Sequence, residues 1–270
     1  SSSLDRFPVL IKFIDAKNAL SIQIHPDDDY ALENENEFGK NEMWYVVDCE
    51  PGAYLYCGLK QDSSKEEIRE RIENNTITEI LNKIEVHKGD CVMVKAGTIH
   101  AIGAGILICE IQQNSNCTYR MYDYDRRDKF GNRRELHIDK AIDVVDVKKY
   151  KPFVSGNSDV PEGAELLVSC KYFECYKYVL GKSMDVDHNS DKNICNNSGN
   201  GEIIAELVAE KVNISVDSMS FRSIIVIEGC GKITVGENEM DYRAGDSFFV
   251  TAGEKVVSVE GTGVIIVTKV

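Results

Sequence analysis

The chain has no apolar run approaching the roughly 18 residues that a membrane-spanning helix needs, so no such helix is expected. It has no excess of positive charge either. Against 31 lysines and arginines stand 45 aspartates and glutamates, a net charge of −14. That field repels nucleic acid and anionic membrane surfaces, and neither is expected as a partner. A small anionic ligand stays compatible with it, because such a ligand needs only a local cluster of cations. No Cys-x-x-Cys pair occurs among the nine cysteines, whose odd number shows no regular framework. This argues against a disulfide scaffold and predicts reduced thiols in a cytoplasmic protein. Cys57, Cys91, Cys109 and Cys175 lie in apolar, strand-like runs and are expected as small buried hydrophobes. No secretory signal is visible in its first residues, and none is expected. Ser1-Ser2-Ser3 leads almost directly into Val9-Leu10-Ile11, the pattern of a chain that begins inside a domain.

What is there is a β protein of 270 residues, with 43% apolar side chains to supply a core. Short runs rich in Val, Ile, Tyr and Phe alternate with Gly and Asp turns. One helix is predicted near residues 64–84. Ser63 with Glu66, and Ser64 with Glu67, fit a capping box, and Ile68, Ile72, Ile80, Leu81 and Ile84 form an apolar stripe. A second helical or irregular segment is expected over residues 135–147. The asparagine-rich stretch 185–201 reads as a loop.

An internal repeat organises the chain. Gly89-Asp90, Val94, Ala96 and Gly97 recur as Gly245-Asp246, Val250, Ala252 and Gly253, each 156 residues later. The repeat predicts two related β domains, residues 1–150 with the helical insertion and residues 151–270. The copies diverge where chemistry would sit. His100 in the first becomes Val256 in the second. The first copy is therefore the one expected to bind metal.

Four polar residues in the first copy could close around one ion. Gln23 and His25 flank Ile24, and residues two apart on a strand share a face. Glu42 precedes the apolar run 43–47, and His100 ends the segment that opens at the Gly89-Asp90 turn. Two imidazoles, a carboxylate and a carboxamide suit zinc or another borderline divalent metal. Alone, His25 or His100 would more often be a satisfied structural histidine. His87 and His137 have no supporting pattern, and Trp44 reads as core.

Gly-Asp, an apolar strand and Gly-x-x-His resemble the second motif of the cupin family, which implies two small antiparallel jelly-roll barrels. A sharper resemblance covers essentially the whole chain. Ser21-Ile22-Gln23-Ile24-His25-Pro26-Asp27, Gly39-Lys40-Asn41-Glu42-Met43, Gly97-Thr98-Ile99-His100-Ala101, Glu110 and Tyr119-Arg120 together resemble the type I mannose-6-phosphate isomerases. The stretch from Glu110 to Arg127 is similar to the short bacterial branch.

The resemblance implies zinc-dependent interconversion of mannose 6-phosphate and fructose 6-phosphate, with one Zn2+ per chain held by Gln23, His25, Glu42 and His100. It implies Arg120 as the active-site arginine and Lys40 as the motif lysine. By position, Lys12, Ser21 and Arg126 resemble the phosphate-contacting residues. An aldose–ketose isomerase passes a proton between C1 and C2 through an enediol. It needs a base, for which Glu110 and Lys40 are both candidates, and a cation for the developing oxyanion, a role Arg120 suits. Arg126, Arg127, Arg133 and Arg134 alternate with Asp123, Asp125 and Asp128, and surface ion pairs account for most of these.

Three departures from the family pattern stand out. Relatives begin well upstream of Ser1, so an N-terminal segment is expected to be missing here. Gly39 stands where many members carry His, and Asn116 where an aspartate is usual. Two other functions remain compatible: a non-catalytic cupin that binds a sugar or sugar phosphate, and a metal-dependent cupin oxygenase.

Overall fold

The structure is a computed structural model, which describes residues 6–156, 158–181 and 208–270. The protein is mainly β and divides into two compact units, Ser1–Phe153 and Val154–Val270. The asparagine-rich stretch predicted as a loop lies outside the described residues.

In chain order the first unit contains β1 (Val9–Ala16), β2 (Ile22–Ile24), α1 (Asp28–Glu35), β3 (Glu42–Cys49), β4 (Tyr54–Leu59), α2 (Lys65–Glu73), β5 (Leu81–Glu85), β6 (Cys91–Val94), β7 (His100–Ile102), β8 (Ile106–Gln113), β9 (Tyr119–Tyr122) and α3 (Ile138–Val144). Two antiparallel sheets form, in the orders β1-β8-β3-β6 and β5-β4-β7-β2-β9. Trp44, Val46, Val92, Val94 and Ile108 from the first sheet pack with Leu55, Cys57 and Ile102 from the second in one buried cluster. The sheets therefore lie face to face, as in a sandwich or flattened barrel. A second cluster joins Ile22, Ile24, Ala101 and Met121, from the five-stranded sheet, to Ile68 and Ile72 of α2 and Ala141 and Ile142 of α3. The two helices thus cover one face of that sheet, and its other face lines the sandwich interior.

The predicted long helix is shorter than expected. Ser64 caps α2 through its hydroxyl, which accepts the Glu67 N–H at 3.1 Å. The helix then stops at Glu73, where Asn74 and left-handed Asn75 (φ 60°) follow. Ile77–Glu79 form a single 3₁₀ turn, and Leu81 and Ile84 belong to strand β5. The apolar stripe joined two elements because the helix places Ile68 and Ile72, and the strand Leu81, in the same core, while Ile84 packs against the sandwich cluster. The second segment is helical over Ile138–Val144 only. Helix α1 has no apolar stripe to announce it. Asp27 caps it by accepting the Tyr30 N–H at 3.0 Å, and Ala31 is its single buried residue.

The second unit is one eight-stranded sheet. Its two longest strands, Arg222–Val235 and Lys255–Lys269, pair antiparallel along nearly their whole length, with a bulge between Val226 and Glu228. Val226, Ile233, Val257, Val259 and Ile265 anchor its core.

The repeated Gly-Asp turn has the same construction in both units. Gly89 and Gly245 take φ of 92° and 89°, a conformation costly for any residue with a Cβ. Gly89 N–H donates to Val46 O and Gly245 N–H to Val226 O, at 2.8 and 2.9 Å. Asp90 accepts the His87 N–H, and Asp246 the Arg243 N–H, at 2.8 and 2.9 Å. The second copy carries Val256, 52% exposed, where the first carries fully buried His100.

Candidate functional site

Four strands from two sheets bring the candidate residues together in the first sandwich. β7 and β9 both flank β2, which sets Gln23 opposite His100 on one side and Arg120 on the other. Directly opposed residues share a face, so these three side chains point into the interior. Glu42 begins β3 on the opposing sheet, next to Gln112 of β8 and Val94 of β6.

The side chains meet. His25 Nε2 lies 3.4 Å from Glu42 Oε2, His100 Nε2 lies 3.3 Å from Glu42 Oε1, and the imidazole centroids are 4.7 Å apart. The Gln23 amide reaches His100 Nε2 at 3.4 Å. Glu42 and His100 are wholly buried and His25 nearly so. The ligating atoms of His25, Glu42 and His100 lie within 4.8 Å of one another, a cluster able to hold a metal ion.

The far side of each imidazole is already committed. His25 Nδ1 faces Cys117 O at 2.9 Å and His100 Nδ1 faces Thr98 O at 2.8 Å. A carbonyl can only accept, so each Nδ1 carries the proton and each Nε2 presents a lone pair inward. His25 Nε2 and both Glu42 oxygens are buried without a hydrogen bond. Lone pairs facing lone pairs in a dry interior are unfavourable unless a cation sits among them. One cation is at hand: Lys40 Nζ lies 2.8 Å from Glu42 Oε2, with the lysine 5% exposed. That contact is close but not aligned as a hydrogen bond. Burial pushes the His25 imidazole down to about 4 and lowers His100 as well. Burial works the other way on Glu42, but the charge of Lys40 is the largest effect opposing it, and the carboxyl is held well below its ordinary value.

Beside this cluster runs a second polar chain. Trp44 packs its edge on His100, with centroids 5.4 Å apart, and donates its indole N–H to Glu110 Oε2 at 3.0 Å. Lys12 Nζ donates to Glu110 Oε1 at 2.9 Å and also to Gln112 Oε1. The sequence did not single out Gln112 or the bond from Trp44. Alternation along Glu110-Ile111-Gln112 marks both polar residues as facing one way, a signal strong enough to have found Gln112.

Arg120 is half-buried, and its Nη1 donates to Glu135 O at 2.8 Å. His137, which had no pattern to recommend it, exchanges two hydrogen bonds with the Arg120 backbone. Asn116 is exposed. Ser21 is buried just ahead of β2. Arg126 donates to Ala19 O at 2.7 Å and to the Asp123 carboxylate. Among the described residues, no hydrogen bond joins Lys12, Ser21 and Arg126 to one another.

Several known proteins are similar to this chain. The sequence model of the family described as mannose-6-phosphate isomerase, cupin domain, matches residues 207–270. Mannose-6-phosphate isomerase ManA of Bacillus subtilis is 38% identical over 266 residues, 98% of this chain and 75% of that protein. Mannose-6-phosphate isomerase of Streptococcus mutans is 37% identical over 242 residues, 89% of this chain and 67% of that protein. The crystal structure of the Bacillus subtilis mannose 6-phosphate isomerase superposes with a TM-score of 0.81 at 32% identity, covering 99% of this chain and 77% of that one. The apo form of the Salmonella typhimurium enzyme shares the fold, with a TM-score of 0.67 at 14% identity over 98% of this chain and 80% of that one. With more than a third of its residues shared with ManA across nearly its whole length, the chain belongs to the mannose-6-phosphate isomerase family.

Proposed function

We propose that the first unit is an aldose–ketose isomerase that interconverts mannose 6-phosphate and fructose 6-phosphate, with one Zn2+ held by Gln23, His25, Glu42 and His100. The observation that carries the metal is the set of inward lone pairs on His25 and Glu42, buried without hydrogen bonds. Two imidazoles and a carboxylate are borderline donors that zinc favours, and a half-turn of the Gln23 amide offers its oxygen as a fourth. The backbone carbonyls behind each Nδ1 orient the rings in the manner common to metal-bound histidines. When bound, the metal supplies Lewis acidity toward the oxygens of the sugar.

The chain's own residues support the rest of the reading. Glu110 offers carboxylate oxygens to which Trp44 and Lys12 donate, and a carboxylate of this kind can take the proton from C2 and return it at C1. Lys40 is ion-paired at 2.8 Å, so it acts as a fixed positive charge and donor, and Glu110 is the base. Arg120, across the strand pair from Gln23, donates toward the oxyanion of the enediol. Lys12, Ser21 and Arg126 contribute charge and a hydroxyl for the phosphate. The names of the relatives favour turnover over binding alone.

The test is isomerisation of mannose 6-phosphate, measured on chelator-treated protein and again after zinc is added back. Turnover that disappears with chelator and returns with zinc is expected. A protein with stoichiometric zinc that binds the sugar phosphate without converting it would replace isomerase by binding protein.

A further inference from the structure

The arginines after β9 do not behave alike. Arg133 pairs with Asp125 in the open, both more than half exposed, and Arg127 donates to Gly131 O. Arg133 is a surface ion pair of the kind the sequence suggested, and Arg127 is exposed but bonds a backbone carbonyl instead. Arg134 is different. Its Nε donates to Asp123 Oδ2 at 2.7 Å and its Nη2 to Oδ1 at 2.5 Å, a side-on fork on a carboxylate that is 5% exposed. Arg126 also grips this carboxylate, with Nε and Nη2 both donating to Oδ1, the oxygen it shares with Arg134. Burial would raise the Asp123 carboxyl, but the two guanidiniums more than reverse this and hold it below its usual range.

One buried carboxylate therefore fixes two arginines, and a third stands beside them. Arg120 is lowered by burial first, and next by the charge of Arg134, with Arg126 also contributing. Asp123 and, more weakly, the exposed Glu135 act on Arg120 in the opposite sense. Three guanidiniums against these two carboxylates leave a local positive charge, in a chain whose net charge is −14. Like charges are not assembled this way without cost unless an anion joins them. Donors are also left over. Arg120 Nε is buried with no partner, and Arg134 Nη1 makes no hydrogen bond among the described residues. Arg120 stands opposite Gln23, which itself meets His100, and Arg126 is tied to Ala19 just ahead of Ser21 and β2. The cluster therefore borders the metal-type site.

We propose that Arg134 is a specificity-determining residue for the substrate's phosphate, and that Asp123 is a positioning residue holding Arg126 and Arg134 for it. The inference rests on the isomerase reading for the identity of the substrate. It does not rest on it for the chemistry of the ligand, a dianionic phosphate monoester. Arg134 and Arg126 each keep a charge that Asp123 only half neutralises, and Asp123 removes the rotamer freedom that would weaken their grip.

Two readouts on zinc-loaded protein test this: steady-state kinetics with mannose 6-phosphate, and calorimetric titration with inorganic phosphate. Arg134→Gln is expected to raise KM by about 10-fold or more, the loss of one charged hydrogen bond, with kcat changed far less. Phosphate affinity should fall by a similar factor. Arg134→Lys should recover part of the loss, and Asp123→Asn, which keeps both arginines in the chain but loosens the carboxylate that holds them, should raise KM. Arg133→Gln should match the unmodified protein in both assays. An Arg134→Gln protein that melts normally and keeps its KM and phosphate affinity overturns the proposal. If the unmodified chain shows no turnover, the isomerase reading fails. Phosphate binding that depends on Arg134 would still support the anion site, and phosphate binding indifferent to Arg134 would overturn it.

Discussion

Gly39 offers a sharp test of how the metal-type cluster is built. It directly precedes the Lys40-Asn41-Glu42 segment, where the chain passes over the start of α1. A Cβ on Gly39 would sit 2.4 Å from Asp27 C and from Asp28 N, and 2.8 Å from Asp27 Cα. That is about 1 Å short of ordinary van der Waals contact, and the obstacle is backbone, which cannot rotate aside. In Gly39→Ala the two segments must separate. Two hydrogen bonds span the gap: Gly39 N–H to Asp28 Oδ1 and Lys40 N–H to Pro26 O, both 3.0 Å. Stretching both costs about 1 kcal/mol each, and the overpacking itself adds about 1–3 kcal/mol. Because some of that strain is relieved as the bonds stretch, the expected loss is about 2–4 kcal/mol. Urea denaturation in chelator reads it directly. Gly52→Ala is the control: nothing lies within 4 Å of its Cβ, so only the left-handed backbone cost of about 1 kcal/mol applies. His25 directly precedes Pro26, and Lys40 and Glu42 follow Gly39, so zinc affinity should fall alongside stability. A Gly39→Ala protein within about 0.5 kcal/mol of the unmodified chain would refute the close-approach argument.

Three further outcomes follow from the same geometry. His100→Ala removes one inward lone pair and should lose zinc and turnover together, read by metal analysis and the isomerase assay; retention of both would remove His100 from the ligand set. Trp44→Phe keeps the ring against His100 but takes the N–H from Glu110, so kcat should fall by about 10-fold with zinc content unchanged, and an unaltered kcat would end the role given to that bond. In the second unit, burial would raise the Glu174 carboxyl, but Lys269, Tyr176 and Ser169 together bring it down to about 2. Its folded value lies below its ordinary 4.5, so its stabilisation is complete above about pH 4.5 and is lost as pH falls toward 2. Glu174→Gln should therefore cost about 1 kcal/mol at pH 7 after solvent screening, with a deficit that narrows below pH 4.5 in acid-dependent urea unfolding; a deficit independent of pH would reassign it to packing.

Some of this site was legible in the chain because the rules involved are local. A period of two puts Gln23 and His25 on one face whatever the strand later pairs with. The Gly-Asp turn needs a positive φ and a side-chain acceptor, so the same two residue types recur at Gly89-Asp90 and Gly245-Asp246. The α2 cap at Ser64 was legible for the same reason, while its C-terminal end was not. Apolar residues of a helix and of the following strand can serve one core, as Ile72 and Leu81 do, and no period distinguishes them over so short a stretch.

The sequence by itself determined the residue types of the candidate centre, the shared face of its first two members and the loss of His100's counterpart in the second repeat. Only the tertiary structure decided what those residues meet. Gln23 pairs with His100 across 77 positions of chain, and Lys12 reaches Glu110 across 98. No local propensity encodes such pairings, which arise when two sheets close on a common core. Arg133 and Arg134 make the point most plainly. They are adjacent, alike in charge and indistinguishable by pattern, yet one pairs in solvent and the other forks onto a buried aspartate. Neighbouring side chains leave the backbone in different directions, and what each one meets there is fixed by the fold around it.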